Sequence, residues 1–294
     1  MPNTRSPRIP FSRWRSAGVW LFALVVTLAM AVHQRKTGPT QPVEGTVRID
    51  RTVYSYRLIR NPTTDAPLTV MVPAPVGYRV EVIWREYPTT RPWKRISADI
   101  HEGFAMAAIP IQPSAGKVEY YVELLGETER VLIPGASGRI IARYKDPVPG
   151  WALIPHILLM FIAMVLSNRL GVGIILGEPT RPDLIIMAFV ALTLGGLIFG
   201  PIVQNEAFGA PWTGWPVGHD LTDNKIAVTW IAWLIAIIRL RRDSACRIWV
   251  LTAAIITCAT YLVPHSLLGS QHNYDPEPSV IQDSYDSAIP LIRP

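Results

Sequence analysis

The chain has 294 residues, 49% of them hydrophobic and only 17% charged, with a formal net charge of +6 from 28 Lys and Arg against 22 Asp and Glu. Soluble domains carry about 25% charged residues, and here the deficit is concentrated in a few long apolar runs, which excludes an ordinary soluble globule. Two cysteines, Cys246 and Cys258, exclude a disulfide framework or a cysteine-type zinc site. The basic excess is accounted for by where the arginines fall, with no need of nucleic acid.

Residues 1–16 form a basic leader holding Arg5, Arg8, Arg13 and Arg15. An apolar run over 17–32 follows, ending at His33. It reads as a transmembrane anchor over 17–33, or as a signal peptide cleaved near Ala29-Met30-Ala31. Either way the next segment is exported.

Residues 45–146 change to period-two alternation. Val80, Val82 and Trp84 share one face while Arg79, Glu81 and Arg85 share the other. Val118, Tyr120, Val122 and Leu124 alternate with Glu119, Tyr121 and Glu123, and Leu68, Val70 and Val72 form a further apolar face. Pro and Gly clusters at 73–75, 113–116 and 134–136 mark the turns. About eight short strands fit this length, which predicts an all-β sandwich with Trp84 and Tyr120 in its core. Residues 108–123, a turn followed by a strand bearing a core Tyr, resemble the late strand pair of fibronectin type III and immunoglobulin-like folds. That resemblance implies a sandwich and names no ligand. Trp93, beside Pro92 in a loop, is the candidate for surface recognition. Arg139, Arg143 and Lys145, just before the next span, read either as headgroup contacts or as charges protecting an edge strand.

Residues 151–264 predict a four-helix transmembrane domain, with runs over 151–167, 184–203, 226–240 and 248–264. With the anchor this makes a membrane α-helical bundle of about five transmembrane helices. Arg169 and Arg181 lie in one connecting loop, and Arg239, Arg241, Arg242 and Arg247 in another. Together with the leader they place ten arginines on one side, which predicts that side to be cytoplasmic and the C-terminus to be periplasmic. Lys225 and Arg293 are the basic residues opposite.

The loop over 200–225 holds three prolines and four glycines together with Trp212 and Trp215, which suit the headgroup layer. Thr222 or Asp223 is placed to cap the following helix, and Asp220 and Asp223 lie near its positive end. In this topology all six histidines share the outer side. His156 and His265 at helix ends are candidates for axial haem ligation or a metal. His219 with Asp220, Asp223 or Glu206 is a candidate metal set. No pair has the spacing of a strong metal motif, so the same residues also read as helix caps and loop ties.

Residues 212–225 and 264–270, with 154–160, resemble stretches of a family of uncharacterised bacterial inner-membrane proteins, and the resemblance implies that location and no activity. Residues 265–294 form an acidic, Pro-containing tail expected to be loosely ordered, with Asp275, Glu277, Asp283 and Asp286 as weak cation ligands. No nucleotide loop, zinc-protease motif or nucleophile elbow is present. The functional expectation is a partner-binding or assembly component of an envelope complex, contacting the bilayer and either other envelope membrane proteins or a glycan. The alternative is a haem- or metal-binding redox membrane protein. Transport is the weakest reading, because the spans lack an ionisable group near mid-membrane and a repeat.

Overall fold

Long apolar runs and period-two runs place different demands on the backbone, and the two sort into separate halves of the molecule. The computed structural model describes residues 13–135, 138–240, 246–264, 272, 274 and 275. Among the described residues four helical stretches are long and apolar enough to cross a bilayer. These are α1 (Arg13–Thr37), α2 (Gly150–Ile175), the stretch Pro182–Phe208, and α5 (Leu221–Leu240). The last helix, α6 (Cys246–Leu262), is apolar but has 17 residues. The expected five spans are therefore four long helices and one shorter one, and the chain is a multi-pass membrane protein.

Pro182–Phe208 is not uniform. It comprises α3 (Pro182–Leu192), a π-helical stretch (Thr193–Phe199) and α4 (Gly200–Phe208). Pro201 has no N–H to donate to the carbonyl four residues back, and its ring pushes against that carbonyl, which favours the wider π turn. A Cβ on Gly195 would fall 2.9 Å from Leu159 Cβ and 3.1 Å from Met160 N. Only glycine lets this turn lie so close to α2.

Polar side chains inside the bundle are paired between helices, as a water-free environment requires. Asn168 of α2 donates to Thr27 Oγ1 of α1 at 2.9 Å and accepts from Cys258 Sγ of α6 at 3.0 Å. Trp233 donates to Thr257 Oγ1 and Trp230 to Thr193 Oγ1, each at 2.9 Å. Tyr261 donates to the Met160 carbonyl at 3.1 Å.

Arg169, read from the sequence as a loop charge, is buried. Its guanidinium pairs with Glu178 at 2.7 Å, donates to Ser16 Oγ at 3.3 Å and lies over the Trp20 ring at 5.4 Å. Arg247 donates to the Glu178 carbonyl at 2.5 Å and the Ile174 carbonyl at 3.0 Å, closing the C-terminal end of α2. One ionic knot thus joins α1, α2, the turn into α3, and α6.

Among the described residues the extramembrane half contains ten strands: β1 (Val43–Ile49), β2 (Thr52–Leu58), β3 (Leu68–Pro73), β4 (Arg79–Tyr87), β5 (Lys94–Ser97), β6 (Asp99–His101), β7 (Phe104–Ile109), β8 (Lys117–Leu125), β9 (Arg130–Ile133) and β10 (Ile140–Arg143). The alternation is as expected: Val80, Val82, Trp84, Val118, Tyr120, Val122, Leu124, Leu68, Val70 and Val72 are all buried in one core. The central pair is β4 with β8, antiparallel, with Trp84 opposite Tyr120 and Val82 opposite Val122. Tyr120 donates its hydroxyl to the Ile59 carbonyl at 2.7 Å.

The immunoglobulin/fibronectin III-like sandwich is not formed. The strands make three separate sheets: the hairpin β1-β2, the five-stranded β10-β8-β4-β5 with β9 also paired to β8, and β3-β7-β6. They do not close into a sandwich. The physical reason is that period two fixes which face of a strand is buried but not which strand completes its ladder. β1 pairs with β2 alone, and the long β8 shares one edge between β10 at its start and β9 at its end.

The two halves meet where β10 runs into α2. Asp146 N donates to the Ala207 carbonyl of α4 at 2.9 Å, and its carboxylate accepts from the Thr64 and Ser114 hydroxyls. Arg143 stacks over the Phe208 ring at 3.7 Å.

Two outcomes are expected. Arg169→Ala, which strands the Glu178 carboxylate in the bundle, should destabilise by about 3–5 kcal/mol in micelle unfolding, whereas the apolar double change Arg169→Met/Glu178→Leu should cost far less. In alkaline titration, burial, helped by Asp50 and Glu129, pushes the Tyr78 phenol up to about 12, and burial does the same for Tyr144. Tyr120 is raised by burial too. Free phenols titrate near about 10. The domain should therefore hold its full stability below that pH and lose it as pH rises toward 12, with unfolding and phenolate absorbance appearing together.

Candidate functional site

The region with the densest polar geometry lies at the end of the bundle facing the β domain. α4 runs to Phe208, so residues 200–208 are helical rather than loop. It ends at Gly209, whose φ of +75° reverses the chain. The following loop folds back onto the first turn of α5. Asp220 is the helix cap: its Oδ1 accepts from Thr222 N at 2.7 Å, and its own N–H donates to the Thr213 carbonyl at 2.9 Å. That role was expected of Thr222 or Asp223.

Asp223 has a different task. Its Oδ2 accepts from Thr213 N at 2.6 Å, Gly214 N at 2.9 Å and Gln204 Nε2 at 3.1 Å. A Cβ on Gly214 would sit 2.6 Å from Asp223 Cβ, so glycine is what permits the approach. Asn224 Oδ1 accepts from Trp215 N at 2.7 Å, and Trp212 Nε1 donates to the Trp215 carbonyl at 3.2 Å. Asp220, Asp223 and Asn224 together cast the tryptophan loop onto the helix. The result holds the Trp215 side chain exposed and Trp212 partly so. Lys225 is buried and donates to the Val263 carbonyl at 2.7 Å, tying α5 to the end of α6.

The candidate metal residues are close in sequence but oriented apart. Asp220 and Asp223 aim at backbone N–H groups, while His219 is exposed. Among the described residues no group of three or more His, Cys, Asp or Glu is gathered to hold a metal. Of the candidate haem pair, His265 lies outside the described residues. His156 has its Nδ1 2.8 Å from the Gly195 carbonyl of the π-helical stretch. A carbonyl only accepts, so Nδ1 carries the proton and Nε2 keeps its lone pair. His101 is exposed in β6, His33 is exposed near the end of α1, and both cysteines are free thiols.

A second polar constellation covers the outward face of the five-stranded sheet. Glu81, Glu119 and Glu123 are buried, 1–7% exposed, although alternation turns them away from the core. Arginines cover them. Arg79 and Arg95 reach Glu81 at 2.7 and 2.9 Å, Arg95 and Arg130 reach Glu123, and Arg85 and Arg139 reach Glu119 at 2.5 and 3.6 Å. Trp93 lies between Arg85 and Arg139, 4.4 and 5.1 Å from their guanidinium carbons, with its edge toward Tyr121 at 5.4 Å. Trp93 was picked out as an isolated loop aromatic. The signal for the rest was the Arg-x-Glu-x-x-x-Arg pattern of β4 facing Glu-x-Tyr-x-Glu of β8, legible once the two strands are in register.

The chain matches no protein-family description, no curated protein and no solved structure.

Asp223→Ala should lower stability by about 3 kcal/mol, since it strips three donors of a charged acceptor. It should also make Thr213 and Gly214 amides exchange freely. His219→Ala should change neither quantity. Hydrogen exchange and thermal unfolding of the two variants side by side check the assignment.

Proposed function

We propose that this is a bacterial inner-membrane protein whose β domain stands on the side opposite the cytoplasm and binds a partner protein of an envelope complex. The helical bundle anchors the assembly. The observation that carries this reading is the arginine-covered sheet face. Five guanidinium groups stand over three carboxylates, and the carboxylates are the buried layer. Arg79, Arg95, Arg130 and Arg139 are 55–69% exposed, so solvent meets a positive surface with Trp93 and Tyr121 at its centre.

Arginine and aromatic side chains are the types enriched in protein interfaces. Each guanidinium here is already held in place by the carboxylate beneath it, which lowers the ordering cost of a further bond. The chemistry that fits is an acidic segment of another envelope protein, drawn in by charge and seated on the indole. The arginine distribution along the chain supports the orientation.

A second reading rests on His156. An imidazole donating Nδ1–H to a backbone carbonyl is the arrangement that fixes a ring for ligation through Nε2. With His265 as its counterpart this would serve haem or a metal. A visible spectrum and metal analysis of the purified protein decide it: a Soret band or stoichiometric metal lost in His156→Ala supports it, and a featureless spectrum with no metal removes it.

For the main reading, crosslinking and mass spectrometry on the membrane-embedded protein should recover a partner through the sheet face. Arg79→Ala/Arg95→Ala/Arg130→Ala should reduce that recovery at least about tenfold, and raised salt should do the same, as for a charge-steered contact. Recovery indifferent to both would remove the sheet face as the interface. A reporter placed after residue 294 that is active only in the cytoplasm would overturn the orientation.

A further inference from the structure

The arginine-covered face is not uniform along its length. On β8, Glu119, Tyr121 and Glu123 share the outward side, and the register of β4 sets Arg85 opposite Glu119, Ile83 opposite Tyr121 and Glu81 opposite Glu123. The charges therefore fall into two groups. Arg85 and Arg139 stand around Glu119, at 2.5 and 3.6 Å. Arg79, Arg95 and Arg130 stand around Glu81 and Glu123, and Arg95 reaches both carboxylates, at 2.9 and 3.2 Å. Among the described residues, guanidinium groups outnumber the carboxylates they pair with by one at each pole. Arg139 at the first pole and Arg79, Arg95 and Arg130 at the second are exposed.

The interval between the poles is apolar and aromatic. Ile83 is buried beneath it. Trp93 and Tyr121 are half-buried and meet edge to face, with ring centroids 5.4 Å apart. The indole lies between Arg85 and Arg139 at the first pole. Burial, and next the Glu123 carboxylate, raise the Tyr121 phenol, so that ring belongs to the side of the second pole.

Glu119 and Glu123 are four residues apart on one strand, and at about 3.4 Å per residue the poles are about 14 Å apart. A partner chain in extended form has the same rise. Its residues i and i+4 then reach the two poles, and i+2 points to the same side midway between them. A helix does not match this spacing. Residues on one helix face recur at i+7 and i+11, about 10.5 and 16.5 Å along the axis. We infer that the sheet face selects an extended partner segment with two carboxylates four residues apart and an apolar or aromatic side chain midway. The acids meet the two arginine poles, and the middle side chain meets the Trp93–Tyr121 pair. This selection rests on the sheet face being the protein-binding surface proposed above, and adds to it the sequence pattern of the partner.

The test uses the full chain in phosphatidylcholine nanodiscs and fluorescently labelled peptides of about twelve residues, read by anisotropy. Three peptides share one composition and differ only in placing their two glutamates three, four or seven residues apart. The four-residue spacing should bind at least about tenfold more tightly than either of the others. Tightest binding at seven would mean a helical partner and overturn the inference. Equal binding of all three would overturn it too, while leaving the face as a binder of acidic segments. Binding by none of them would remove both. Arg139→Glu should weaken the four-spaced peptide at least about tenfold. A four-spaced peptide with one glutamate changed to lysine should recover the loss, which a misfolded variant could not show. Recovery with neither lysine position would overturn the assignment of an acid to the first pole.

Discussion

Hydrocarbon supplies no hydrogen-bond partners, and that constraint decides which polar residues the bundle can contain and what each must touch. Inside the bundle Thr27, Asn168, Thr193, Trp230, Trp233 and Thr257 each reach a partner on a neighbouring helix or a backbone carbonyl one turn away. The same constraint explains the two ends of the bundle. At one end Arg169 and Glu178 are buried as a pair, with Arg247 donating to the Ile174 carbonyl in the last turn of α2 and to the Glu178 carbonyl beyond it. At the other, Asp220, Asp223 and Asn224 occupy N–H groups of the loop and of α5. Helix ends are where backbone groups lack intrahelical partners, so charged residues gather there for structural reasons before any functional one.

The β domain solves a related problem in water. Three glutamates lie on a sheet face that alternation directs outward, yet they are covered. Arginine does the covering because its stem packs along the sheet while its planar fork bonds the carboxylate beneath. Glu123 shows the advantage of a network over an isolated pair, since it is shared by Arg95 and Arg130 from two different strands. Cross-strand placement binds β9 to the central β8 through side chains as well as through its ladder, and ties β5, whose ladder is with β4, to β8 through side chains. The outcome is a face that is rigid, positively charged and centred on an indole.

Much of this was legible in the sequence where a single period carries the information. The apolar runs located α2 and α5, falling about two turns short at the end of α2 and more than one turn short at the start of α5, and alternation identified the core-facing residues of β4 and β8 but not the burial of Glu81, Glu119 and Glu123 on the other face. What was not legible depends on pairing between distant segments. The hydrophobic period is the same whether β1 joins a larger sheet or only β2, so a sandwich was read where three sheets exist. Arg169 looks like a topology charge until Glu178 is brought back against it by the turn at Gly177, whose φ is +82°. Asp220 and Asp223 look like metal ligands beside His219, because composition does not reveal that Thr222 will turn its N–H group toward Asp220, and Thr213 and Gly214 theirs toward Asp223. The π-helical stretch was hidden for a similar reason. Its cause combines Pro201, which is visible, with the close approach of α2 to Gly195, which is not.

The glycines that matter most lie at places where two segments must approach closer than a Cβ allows. Gly195 admits α2, Gly214 admits Asp223, and Gly116 admits Tyr274. Each contact joins a part of the chain that comes early to one that comes late, or a loop to a helix. None of them is predicted by hydrophobicity. Polar bonds to backbone atoms recur beside them: Asp146 N–H donates to the Ala207 carbonyl between the β domain and the bundle, while the Asp223 carboxylate accepts from Gly214 N and the Asp275 carboxylate from Thr90 N. A carboxylate bonded to main-chain N–H groups is insensitive to side-chain repacking on either side.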